Sequence, residues 1–92
     1  MTGDRDVDAI RARIEAVDRA ILDRVAERLE LARRIGGLKR ESTAATLDTH
    51  REAAVIRRAV EQGRQRGLPD EAVRDLFWTL VGLCRDAQLD ER

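Results

Sequence analysis

The stretch VDAIRARIEAVDRAILDRVAERLELARRIGGLK, residues 7–39, decides how this chain folds. Its apolar positions are Val7, Ile10, Ile14, Val17, Ile21, Val25, Leu29, Ala32, Ile35 and Leu38. They recur every three or four residues, the period of one face of an α-helix. No proline interrupts the run, so the pattern predicts one helix over about residues 6–41, roughly 54 Å long at 1.5 Å per residue. A compact chain of 92 residues has a radius of gyration of only about 12 Å. It cannot cover an apolar stripe of that length by itself, which points to an intertwined dimer in which a second copy covers it.

Downstream, ESTAATLD at 41–48 is small and polar and reads as a break. A second helix is expected over about 49–65, carrying Ala53, Val55, Ile56, Ala59 and Val60. Asp48 suits its N-cap, Thr49 and Glu52 have the spacing of a capping box, and QGRQRG at 62–67 ends it. A third helix is expected over about 69–89. Pro69, Asp70 and Glu71 suit its first turn, and Val73, Leu76, Phe77, Leu80, Val81, Cys84 and Gln88 share one side. The expected fold is all-α: a three-helix protomer with one very long first helix, residues 1–92 forming a single domain of an intertwined homodimeric bundle.

Composition agrees. Charged residues make up 39% of the chain and hydrophobic ones 42%, with no Tyr, one Phe and one Trp, as in solvated helices with thin aliphatic stripes. Eighteen basic residues balance eighteen acidic ones, so no bulk attraction to nucleic acid or membrane is implied. Cys84 is the single cysteine and His50 the single histidine; that excludes an intramolecular disulfide and leaves too few ligands for a zinc site. With no apolar signal region near the N-terminus, the expected location is the cytoplasm.

Several polar residues break the helical pattern. Arg28 and Lys39 share a strip with Ala32 and Ile35, either as basic side chains snorkelling at a dimer seam or as cations held for a ligand. Gly36 and Gly37 cost about 1 kcal/mol each within a helix, so close approach of a neighbouring helix or a ligand is expected there. Asp48 and Glu52 have cap roles available, whereas Arg51 has none. Cys84 is either a small buried hydrophobe or a reactive thiol. One turn on, the Gln88 amide faces the apolar side and needs polar partners.

In order, Arg11, Arg28, Lys39, Asp48, Arg51, Glu52 and Gln88 resemble the active-site set of the AroQ-type, all-helical (type II) chorismate mutases. The resemblance spans nearly the whole chain, through the blocks IRARIEAVDRAIL, ERLELARRIGGLK, LDTHREAAV and GLPDEAVRDLFWTLVGLCRDAQ. It implies an intertwined homodimer with two sites inside the bundle. Arg11 and Arg28 lie 17 residues apart, about 25 Å along one helix, and in that family Arg11 completes the site of the other protomer.

The activity implied is the Claisen rearrangement of chorismate to prephenate, an isomerisation that needs no cofactor, metal or covalent intermediate. The substrate is a small dianion. Arg28 and Arg11 of the partner subunit would bind its carboxylates, because guanidinium forks match carboxylate geometry. Lys39 and Gln88 would donate to the breaking ether oxygen. Glu52, with the Asp48 backbone, would accept from the ring hydroxyl, and Arg51 would organise that turn. Two positions depart from the family: Cys84 stands where a serine-like hydroxyl is common beside a carboxylate, and Arg85 where an apolar residue is usual.

Three other functions fit the same fold. A mutase of 4-amino-4-deoxychorismate would let Glu52 pair with an ammonium. An isochorismate-pyruvate lyase uses a similar helical site. An idle helical dimer serving as a partner-binding module would not need Lys39 and Gln88 to be polar.

Overall fold

The computed structural model describes residues 2–40 and 48–90, and of Thr2, Lys39 and Arg40 the backbone alone. Residues 41–47, read as an interhelical break, lie outside the described residues. Three helices make up the fold: α1 Thr2–Arg40, α2 Thr49–Gln65 and α3 Asp70–Asp90. The described residues contain no strand. The protein is all-α.

The chain measures 64 × 24 × 15 Å, with a radius of gyration of 17.4 Å. That exceeds the value of about 12 Å for a compact chain of this length, and the excess is α1. Its C-terminal half packs on α3, α2 packs on the same helix, and among the described residues α1 and α2 do not pack on each other. Its N-terminal half stands clear. Val7, Ile10, Ile14, Val17 and Ile21 are 45 to 57% exposed, so among the described residues nothing covers the stripe that built the helix.

Two small cores hold the rest. Ile56, Ala59 and Val60 of α2 meet Val73 and Val81 of α3, with Val55 and Phe77 alongside. Ala32 of α1 meets Cys84 and Ala87 of α3, with Leu29 at the edge. Of the buried hydrophobic residues, Ala32, Ala59, Ala87 and Cys84 are small, and small side chains contribute little apolar area each. A chain this short gains only a marginal core by itself.

Local signals set the helix ends. Asp48 has extended backbone (φ −133°, ψ 95°), and its side chain accepts from the Arg51 N–H at 3.0 Å as the α2 N-cap. The capping box read between Thr49 and Glu52 is not formed. With the cap at Asp48, the third helical position is Arg51, and the Glu52 carboxylate turns instead to two charged donors on Arg85. At the other end, Gly67 has φ +73°. Its N–H donates to the Arg64 carbonyl at 3.0 Å and that of Leu68 to the Gly63 carbonyl at 2.9 Å, a Schellman closure that needs glycine at the left-handed residue.

The glycine pair in α1 has one structural role. A Cβ on Gly36 would stand 2.5 Å from the Gln88 carbonyl oxygen and 2.9 Å from its Cα, whereas nothing lies within 4 Å of one on Gly37. Gly36 therefore lets the α1 and α3 backbones touch at Gln88. No helix among the described residues is long and apolar enough to cross a membrane.

Candidate active site

Because α1 and α2 both stand on α3 without meeting, a cleft opens between them, an open groove of about 470 Å³. That volume suits a small metabolite. Each helix lines it with the same spacing: Arg28, Leu31, Ala32 and Ile35 from α1; Asp48, Arg51, Glu52 and Val55 from the start of α2; Val81, Cys84, Arg85 and Gln88 from α3. Offsets of three, four and seven residues place side chains on one helical face, so three faces converge. Arg58 of α2, one more turn along, completes the lining.

The lining combines apolar side chains (Leu31, Ala32, Ile35, Val55, Val81) with charged ones. Arg28, Arg51, Arg58 and Arg85 face Asp48 and Glu52; four guanidiniums against two carboxylates leave two positive charges among the described lining side chains. Such a groove favours a doubly negative ligand.

Two contacts organise these charges. Half-buried Arg28 donates from Nη1 to the Cys84 Sγ at 2.8 Å. Cys84 is itself buried between Ala32 and Ala87, so the thiol anchors the Arg28 guanidinium within the groove. Arg85 donates from Nε to Glu52 Oε2 at 2.9 Å and from Nη2 to Oε1 at 2.7 Å. The hydrogen bonds from Arg85 hold the Glu52 carboxyl below the ordinary carboxylate range, with its positive charge assisting and burial opposing. Glu52 stays ionised at neutral pH.

Of the residues singled out in the sequence, Arg28, Asp48, Arg51, Glu52, Cys84 and Gln88 meet in this groove. Arg11 does not. It is exposed on the free arm of α1, about 25 Å along the helix from Arg28. Lys39 continues the lining face of α1 one turn past Ile35, with its side chain outside the described residues. Arg58 was missed in the sequence, although its seven-residue offset from Arg51 marks the same face. Arg85 was noted only as an anomaly; its pairing with Glu52 spans 33 residues.

The chain matches the family model "Chorismate mutase type II" over residues 10–89. It is 36% identical over 75 residues to the 4-amino-4-deoxychorismate mutase of Streptomyces pristinaespiralis, covering 82% of this chain and 58% of that protein. It is also 30% identical over 72 residues to the T-protein of Enterobacter agglomerans, covering 78% of this chain and 19% of that protein. The chain therefore spans less than two thirds of the length of either relative.

Proposed function

The chain belongs to the type II chorismate mutase family, and from that premise we propose that it rearranges chorismate to prephenate in the groove between its three helices. The observation that carries this is the surplus of two positive charges among the described side chains that line the groove. The reaction breaks one C–O bond and forms one C–C bond within a dianion, so it needs positioning and charge stabilisation rather than a nucleophile.

Arg28, steadied by Cys84, grips one carboxylate of the substrate. The second falls to Arg11 of the partner subunit. The uncovered stripe from Val7 to Ile21 supports a homodimer in which the free arms of α1 cover each other and carry Arg11 into the opposite groove. Held at both ends, the substrate adopts the diaxial shape in which the reacting carbons approach. Gln88 and Lys39 donate to the ether oxygen as negative charge grows there; losing one such donor typically costs about 10²–10³ in kcat. Glu52 and the Asp48 backbone accept from the ring hydroxyl, and Arg51 braces the turn. No cofactor enters the scheme. A single unpaired thiol suits a reducing compartment, so we place the protein in the cytoplasm.

A second reading has one observation in its favour. The relative from Streptomyces pristinaespiralis is named for the amino analogue, and that reading would set an ammonium against the Glu52 carboxylate in the groove.

The test is loss of chorismate absorbance with the purified protein, repeated with 4-amino-4-deoxychorismate. Turnover of chorismate that falls about 10²-fold or more in Lys39→Ala and Gln88→Ala is expected. A wild type that converts neither substrate would sink the function, and a Lys39→Ala protein with full activity would sink the site assignment.

A further inference from the structure

Arg85 occupies a groove position for which the substrate chemistry so far gives no task. Its guanidinium fork closes on both oxygens of Glu52 at 2.9 and 2.7 Å, and both side chains line the groove. An ionised carboxylate offers about four lone-pair sites. The fork takes two and leaves two for a ligand. Resting on the function above, in which Glu52 accepts from the ring substituent of the substrate, we propose that Arg85 sets selectivity at that ring position, admitting a neutral hydroxyl and opposing a cationic ammonium.

The groove as a whole carries a surplus of positive charge, while the Asp48 carboxylate is the other charge that acts on Glu52. Arg28 faces the groove from α1 and Arg51 and Arg58 from α2, while Asp48 is the other anion among the described lining side chains. The charge of Glu52 is already matched by Arg85. An ammonium bonded to the free side of Glu52 would stand one carboxylate away from the guanidinium, about 5 Å, where like charges repel appreciably. Water screens this only in part, since the Glu52 side chain is 16% exposed and that of Arg85 34%.

A hydroxyl meets none of that repulsion. It needs one open lone pair on an acceptor fixed in direction, and a bidentate fork fixes the carboxylate plane better than a single bond would. The same contact that weakens the attraction of Glu52 for a cation therefore prepares it for a neutral donor.

The experiment measures kcat/KM for chorismate and for 4-amino-4-deoxychorismate with wild type, Arg85→Met, Arg85→Gln and Arg85→Lys. Both neutral variants should move the ratio toward the amino analogue by about tenfold, and Arg85→Lys, which keeps the charge, should stay within about threefold of wild type. A general loss of structure would lower both values without moving their ratio. A ratio unchanged in both neutral variants, or moved toward chorismate, overturns the proposal. If the neutral variants fold but turn over too slowly to assay, titration of the two substrates is read in the same way, a tenfold shift in relative Kd supporting the proposal and none overturning it. A wild type inactive on both substrates would instead overturn the function on which this rests.

Discussion

Glu52 and Arg85 are 33 positions apart in the sequence and joined by two hydrogen bonds in the fold. The individual residue types were legible: a cap at Asp48, an amide at Gln88 where the pattern wants an aliphatic, a cation at Arg28. Their pairing was not, because which cation meets which carboxylate depends on the relative rotation of two helices, and helical periodicity describes each helix alone. The pair has a consequence for pH. The folded-state pKa of Glu52 lies below its unfolded value, so the stabilisation it brings is complete above the ordinary carboxylate range and is lost only as pH falls through the lowered value. Gln88 does not titrate. Turnover measured across about pH 6 to 9 should therefore be level, and a steep fall between about pH 5 and 7 would contradict a Glu52 held ionised by Arg85. In the proposed mechanism Cys84 has no covalent step to perform; its sulfur accepts from Arg28 at 2.8 Å.

At the scale of the helices, spacing and punctuation were enough. Offsets of three and four without a proline mark α1, Asp48 starts α2, and Gly67 closes it in a left-handed conformation. Less visible was which of two adjacent glycines meets a neighbour, since Gly36 and Gly37 differ only in the direction they face. The structure separates them with opposite signs. Alanine at Gly36 drives a methyl against the Gln88 backbone, an overpacking that should cost about 1–3 kcal/mol. It should also displace Gln88 and lower kcat by about tenfold or more, since small misplacements of reacting groups are costly. Alanine at Gly37 meets nothing within 4 Å and should be neutral or gain up to about 1 kcal/mol in helix propensity. Denaturant melts and turnover of the two variants check this together. Equal effects from both would mean that the α1–α3 contact at Gln88 is not as described.

For the whole molecule, a 64 Å chain with an exposed apolar arm and a groove rich in positive charge supports the proposed homodimer. The expectation of a dimer rests on the length of α1, because a compact chain of 92 residues cannot wrap a helix of that span. The distance from Arg11 to Arg28 is then the main clue: in the proposed site both bind substrate carboxylates, yet they lie about 25 Å apart on one helix, so in that proposal each serves a different copy. The most direct measurement is complementation between Arg11→Ala and Arg28→Ala, each assayed alone for chorismate turnover and then after mixing, co-unfolding and refolding. Each variant alone should be nearly inactive. In a two-fold dimer the mixed species rebuilds one intact site of two, so random mixing should restore about a quarter of wild-type activity. A mixture no more active than its two components, with both variants folded and dimeric, would contradict a site shared between protomers.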